Sequence, residues 1–400
     1  MEFPNEAITV LGVTNGREPK KQFGIKQADR LFHHYIIGQT GTGKSTLMLN
    51  MAMQDLEQGR GFCLIDPHGD LARSLARTAG DRCLYWDAAD PACPYGYNPL
   101  SYVAASYRPL VASGLIDTLK KQWADAWGAR MEHLLRYCLL ALLEQPFSSL
   151  QDIMPMFLDK DFRRGVLSSV KDPMVRQFWT SEFPKMNYKT AVDGVAPIAN
   201  KLGAFLAHPV VRKAVCEPEQ PLRFRRIMDD GKSLIVNLAK GRLGADISNI
   251  LGGLVVSSIA HAAYSRQDIQ ENERRPYILY VDEFQSFTSA VFAEMLSELR
   301  KHRLGLVLAH QFTSQLDTDV FEAVVGNVGT LSAFRLGATD AAVLAKQFGA
   351  DIPGVRDLLD LPNHGMYLRL MIDEQRSMPF LARSMHGKPN DCSNARRNDA

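Results

Sequence analysis

Eight residues, Gly38-Gln39-Thr40-Gly41-Thr42-Gly43-Lys44-Ser45, constrain this chain more than any other stretch. They follow a short apolar run, His33 to Ile37. They precede a segment, Ser45 to Gln58, that reads as a helix with Gly59 placed to end it. A second apolar run, Gly61 to Ile65, closes on Asp66-Pro67. Strand, helix and strand at this spacing predict a βαβ unit and therefore a parallel sheet. The eight residues fit the phosphate-loop pattern of GxxxxGK followed by Ser or Thr, in the strand-to-helix context that the pattern requires.

The chemistry explains the residue types. Glycines let backbone N–H groups turn inward around phosphates, and the helix that starts there offers its N-terminal dipole to an anion. Lys44 is expected to meet the β- and γ-phosphates of ATP, and the Ser45 hydroxyl to ligate Mg2+. The whole stretch Gly38, Gln39, Thr40, Gly41, Thr42, Gly43, Lys44, Ser45 and Thr46 is the expected nucleotide site. Downstream, Tyr277 to Val281 is an apolar run that delivers Asp282-Glu283 to a strand end, where ligands of α/β sheets bind. Asp282 is the expected second Mg2+ ligand, and Glu283 the general base that polarises the attacking water. Leu304 to Leu308 is a further short run, followed by Ala309-His310-Gln311; an amide at that tip can sense a γ-phosphate without titrating.

Other groups allow two readings each. Arg300, on the helix leading into the Gln311 strand, suits an arginine finger presented to a neighbouring subunit, or a cation complementing a helix C-terminus. Arg303 and Arg335 compete with it as fingers. Lys240-Gly241-Arg242 follows the run Ser233 to Leu238 and can contact DNA phosphate or lie as a solvated loop. Arg223, Arg225 and Arg226 read as a surface cluster. Asp66-Pro67-His68-Gly69-Asp70, at the same sheet edge, reads as a turn in which Asp70 caps a helix from Leu71, or as a group that acts near the nucleotide. His33, His34, His68 and His310 do not form a recognisable metal set.

Composition sets the frame. The 46 Lys and Arg balance 44 Asp and Glu, a net charge of +2, which excludes a histone-like polycation and an acidic disordered chain. The six cysteines show no CxxC spacing, which fits a reducing cytosol, and no basic leader or apolar stretch of spanning length is visible. The expected organisation is a discontinuous α/β core over 1–102 and 222–387, a helical insertion over 103–221 and a disordered tail over 388–400. In the insertion, Met131, Leu134, Leu135, Cys138, Leu139 and Leu142 repeat at three and four, one face of a helix. Val291, Phe292, Met295, Leu296 and Leu299 do the same in the core. Met366 to Ile372 and Ser377 to Ala382 flank Asp373-Glu374-Gln375-Arg376 and read as a hairpin.

Gly38 to Thr46, Leu64 to Leu71, Val281 to Phe284 and Leu308 to Gln311, in this order, resemble the HerA/FtsK superfamily of DNA-translocating P-loop ATPases. Within it they resemble the type IV secretion DNA-binding (coupling-protein) ATPases of bacterial conjugation. The resemblance spans most of Ile8 to Arg383. It implies a RecA-like core with a mostly parallel sheet, a homo-hexameric ring with active sites between subunits, DNA threaded through a pore, and Arg300 as the trans finger. Membrane-anchored coupling proteins carry N-terminal transmembrane helices that this chain lacks, so the resemblance implies a cytoplasmic motor, or one recruited to the inner membrane by a partner such as a relaxase or secretion channel. Two alternatives share the residues: a HerA-like motor working with a nuclease in repair or phage defence, and a nucleotide-switched adaptor that does not translocate.

Overall fold

The computed structural model describes residues 7–15, 21–101, 103–186, 188–288, 290–349 and 353–385, excepting the side chains of 188–193, 290–292, 294 and 295. The expected tail 388–400 and the apolar positions Val291, Phe292 and Met295 lie outside the described residues. Among those described, eleven strands share one sheet. In chain order they are Ile8–Thr14 (β1), Gln22–Lys26 (β2), His34–Ile37 (β3), Phe62–Asp66 (β4), Cys83–Asp87 (β5), Ser233–Asn237 (β6), Tyr277–Val281 (β7), Leu304–His310 (β8), Thr330–Ala333 (β9), Gly365–Arg369 (β10) and Phe380–Ser384 (β11). Across the sheet the order is β2-β1-β11-β10-β9-β3-β8-β7-β4-β6-β5.

The centre is parallel. β3 pairs with β8 and β9, β7 with β8 and β4, and β4 with β6. Every residue of these six strands is buried, which is why they read in sequence as continuous apolar runs rather than alternating ones. β9, β10, β11, β1 and β2 continue the sheet as antiparallel neighbours. The expected hairpin is present as β10 and β11, with a second short ladder of Met371–Ile372 against Gln375–Arg376 at its tip. Asp373 and Glu374 both take positive φ there, and the Asp29 carboxylate accepts from both of their N–H groups at 3.1 and 3.2 Å.

Helix α1 (Lys44–Glu57) starts at the glycine-rich turn, and α2 (Asp70–Ala79) follows β4. Leu47, Met48 and Met51 of α1 and Leu71 and Leu75 of α2 join Ile36, Leu64 and Ile278 in one apolar cluster. Each such buried side chain contributes about 1.5–3 kcal/mol. A second device ties α1 to the sheet. Asp55 accepts a bidentate pair from Arg30 at 2.6 and 2.8 Å and forms an ion pair with Arg60 at 2.7 Å, and the Tyr280 hydroxyl also donates to it.

The chain divides into two compact units, Met1–Tyr85 with Arg226–Asn237 and Arg266–Ala400, and Trp86–Arg225 with Leu238–Ser265. The division therefore falls at 85/86 and 225/226 where 102/103 and 221/222 were expected, and 238–265 groups with the second unit rather than with the expected core segment 222–387. Residues just after β5 pack locally within the second unit: Tyr95–Gly96 pairs with Gln220–Pro221, and Asn98 donates to the Ser148 carbonyl at 2.7 Å. The helix Ala245–Tyr264 packs there against Arg108–Gln122 through small residues. A Cβ on Gly114 would meet Ser257 Oγ at 2.4 Å. That helix is long and apolar enough to cross a membrane by length and composition, but Ile250, Leu251, Leu254, Val255 and Ile259 are buried inside the unit. An apolar helix of this kind needs burial on several sides, and the α/β alternation of the sequence does not announce which unit provides it. The helix Ala129–Leu143 buries all six apolar positions named from periodicity.

Candidate active site

The carboxyl ends of β3, β4, β7 and β8 meet at one edge of the first unit. The turn after β3 wraps into the phosphate loop, with Gly41 at φ 75° and Gly43 at φ 124°. A Cβ on Gly43 would also meet His364 Nδ1 at 2.9 Å, so both conformation and space demand glycine. The loop is held from behind: Thr42 Oγ1 donates to the Gln39 carbonyl at 2.7 Å, and the Thr42 carbonyl accepts from the His364 N–H at 2.7 Å.

Lys44 is buried, and its ammonium donates to the loop's own carbonyls, Gly38 O at 2.7 Å and Gln39 O at 3.1 Å. Burial lowers its pKa, while Asp282 and Glu283 pull it back up. Ser45 Oγ lies 3.4 Å from Asp282 Oδ2. Burial, and then the charges of Asp66 and Glu283, push Asp282 up to about 6. A crowded carboxylate beside a hydroxyl suits a divalent cation, whose charge would offset that crowding. A buried lysine that, among the described residues, donates to backbone carbonyls alone likewise suits a phosphate. The residues therefore fit ATP with Mg2+.

Glu283 follows directly. Its backbone is left-handed, φ 48° and ψ 45°. Its carboxylate accepts from Gln311 Nε2 at 2.5 Å on one oxygen and from Gln285 Nε2 at 2.6 Å on the other. Gln311 stands just past β8, and its own Oε1 accepts from Thr40 Oγ1 at 2.8 Å. A cavity of about 390 Å³ is lined by Thr40, Gly41, Lys44, Ser45, Thr46, Asp282, Glu283 and Gln311, joined by Asp66, His68, Asp70 and Ser74. Gly38, Gln39, Thr42 and Gly43 shape the loop behind it.

The turn after β4 corrects one expectation. Helix α2 begins at Asp70 itself, Gly69 occupies the cap position at φ 87°, and no side chain caps from Asp70, which pairs with Arg73 at 2.6 Å. Asp66 supplies the carboxylate instead, accepting from His68 N and Ala72 N at 2.9 Å each. A Cβ on Gly69 would run into Asn237 at 2.3 Å, so the tight turn brings the helix N-terminus down onto Asp66.

The three candidate fingers separate. Arg300 precedes β8, whose seven residues span about 20 Å, so it lies at the opposite edge of the sheet from Gln311. There its guanidinium sits 3.5 Å over the Phe32 ring and pairs with Glu374 at 3.2 Å. Arg335 lies beside its own phosphate loop, donating to Gln39 Oε1 at 3.4 Å and to the Leu361 carbonyl at 3.2 Å. Arg303 donates to the Arg274 carbonyl. Lys240 and Arg242 belong to the second unit, on a four-residue helix, Lys240–Leu243, rather than an open loop, and Arg242 pairs with Asp87 at 2.9 Å. Three of the four histidines are held in the interior: His33 bonds to Leu296 O and Leu306 N, His34 to Ser332, and His310 to the Tyr35 hydroxyl, whereas His68 is exposed on the cavity. Gln285 escaped the sequence reading because a glutamine two residues past Asp-Glu carries no pattern.

No protein-family model matches the sequence, and no curated protein is significantly similar to it. Solved structures are similar over nearly its whole length. The plasmid coupling protein TrwB in complex with the non-hydrolysable ATP analogue ADPNP superposes with a TM-score of 0.65 at 18% identity, covering 95% of each chain. TrwB in complex with ADP and Mg2+ gives 0.64 at 17%, covering 97% of each. VirB4 of Thermoanaerobacter pseudethanolicus gives 0.64 at 12%, covering 94% of this chain and 96% of that one. At these identities the likeness shows the fold: a RecA-type P-loop α/β fold of the TrwB kind.

Proposed function

We propose that this chain is an ATP hydrolase that works as a DNA translocase, in a hexameric ring of its own copies, in the cytoplasm, in conjugative or type IV secretion DNA transfer. The observation that carries the reading is the convergence of Lys44, Ser45, Asp282, Glu283 and Gln311 on one cavity, with Glu283 and the phosphate loop joined through Gln311. Lys44 and the loop N–H groups bind the β- and γ-phosphates. Ser45 and Asp282 would hold Mg2+, which supplies charge neutralisation at the phosphate oxygens. Glu283 accepts the proton of the attacking water, and Gln311 orients it. Arg300, remote from its own site, reaches a neighbour's nucleotide as a trans finger. The fold shared with the coupling protein TrwB supports the ring and the DNA substrate. DNA would be held by its phosphates, with Lys240 and Arg242 among the contacts, so little sequence preference is expected. A relaxase, secretion-channel or nuclease partner would set the process served.

The test is steady-state ATP hydrolysis with and without single- and double-stranded DNA. Stimulation by DNA, lost in Lys44→Ala and Glu283→Gln, is the expected result. Tight nucleotide binding with no turnover in any of these conditions sinks the motor and leaves a nucleotide-switched adaptor.

A further inference from the structure

Resting on that hydrolytic reading, we infer that Gln285 is a positioning residue for Glu283, one arm of a two-amide clamp whose other arm is Gln311. The argument begins at the backbone. A glutamate held at φ 48° is strained by about 1 kcal/mol or more, and such a conformation persists only where the surroundings over-determine it. Here they do. The Glu283 N–H donates to Asp282 Oδ1 at 3.0 Å. Phe284 is fully buried, its ring 4.9 Å from that of His310 and 6.1 Å from that of Tyr35. The chain then makes one tight turn, Phe284–Ser286. This turn carries Gln285 back alongside the glutamate it follows, with Nε2 2.6 Å from Glu283 Oε2.

Gln311 approaches the other oxygen, at 2.5 Å, from a different strand. One hydrogen bond would leave the carboxylate free to rotate about its last side-chain torsion, which is broad and roughly two-fold for Glu. Two donors on the two oxygens fix its plane. Both donors are neutral and do not titrate, so they orient the base without adding charge beside a metal site. Each oxygen keeps a second lone pair with which to accept a proton from water. The two arms are anchored independently, one in the turn after β7 and one at the tip of β8 and on Thr40. Gln285 therefore acts through Glu283 and lies outside the cavity lining itself.

The experiment uses the full chain with DNA and saturating ATP. In Gln285→Ala, kcat is expected to fall about tenfold, less than the roughly hundredfold that a 1 Å misplacement can cost, because Gln311 still holds the other oxygen. KM for ATP, the affinity for ADP and the melting temperature should stay at wild-type values. Gln285→Glu, which sets a second carboxylate against Glu283, should fall further. The double variant with Gln311→Ala should lose less than the product of the two single losses, since both serve one carboxylate. Wild-type kcat in Gln285→Ala overturns the clamp, as does strict multiplicativity, or a kcat loss matched by lost stability or lost ADP affinity. If wild-type turnover disappears in Glu283→Gln yet survives Gln285→Ala, the clamp alone is wrong. If the wild type does not hydrolyse ATP at all, the hydrolytic reading fails and the clamp with it.

Discussion

Thr40 donates its hydroxyl to Gln311 Oε1 at 2.8 Å, which fixes the amide so that its N–H faces Glu283. The loop that would grip phosphate and the carboxylate that would activate water are thus two bonds apart through one glutamine. Thr40→Val keeps the shape and removes the donor. A neutral hydrogen bond is worth about 1 kcal/mol, so kcat should fall about fivefold with nucleotide affinity unchanged. Gln311→Ala, which removes the whole link, should cost about a hundredfold. Steady-state kinetics with parallel ADP titrations check both.

Lys44→Ala should weaken binding of a fluorescent ADP analogue while leaving the nucleotide-free protein folded, because Lys44 donates to carbonyls of its own loop. Glu283→Gln should retain that binding and slow turnover by at least about a hundredfold, the scale of general-base catalysis. Equal loss of binding in both variants would remove the assigned division of labour.

Arg300 offers a sharper contrast between its two roles. Its exposed pair with Glu374 and its stacking on Phe32 are together worth about 1 kcal/mol, so Arg300→Ala should barely move the melting temperature. As a trans finger it should lower kcat by about a thousandfold. Mixing Arg300→Ala with Lys44→Ala should restore turnover at interfaces where each supplies what the other lacks. Absence of rescue would return Arg300 to a structural part.

The Asp55 cluster should govern stability. Asp55→Asn leaves Arg30 and Arg60 facing a neutral amide in the interior, and breaking such a pair costs about 3–5 kcal/mol. Urea denaturation should show the loss, with any residual ATP turnover at low temperature keeping its KM.

Acid should destabilise the protein from an unusually high pH. Burial lowers His33 to about 4, His34 to about 3, His310 to about 3 and His261 to about 4, with nearby cations adding to the first three: Arg300, Arg30 and Lys44 respectively. In the unfolded chain each titrates near 6.5. Below that pH the unfolded state binds protons that the folded state excludes. Stability is therefore complete above about 6.5 and falls as pH drops toward the folded values, by up to about 1.4 kcal/mol per pH unit for each histidine. A melting temperature that is flat between pH 7.5 and 5 would contradict this.

Sequence reading reached the parts whose chemistry is local. Gly38 to Ser45 is a pattern because backbone geometry dictates its glycines, Asp282-Glu283 because a strand end must carry two carboxylates, and the buried parallel strands β3, β4, β7 and β8 announce themselves as apolar runs. What it missed depends on distant partners. The capping carboxylate proved to be Asp66 rather than Asp70, because Gly69 tightens the turn by one residue. The Arg30–Asp55–Tyr280 cluster joins residues 250 positions apart, which no spacing reveals. The helix Ala245–Tyr264 sits between two core strands in sequence but packs into the other unit, and its nearly uniform apolarity carries no label of destination.

Lys44 closes on its own loop, and this bears on how such a site would spend the interval between turnovers. Its ammonium donates to the carbonyls of Gly38 and Gln39, at the start of the loop that would receive a phosphate. An incoming nucleotide therefore exchanges one set of lysine partners for another rather than rescuing a stranded charge. The net gain from that residue is the difference between two good arrangements, smaller than its contact distances would suggest. Product release is eased by the same amount, since the departing phosphate leaves behind a cation that already has somewhere to go.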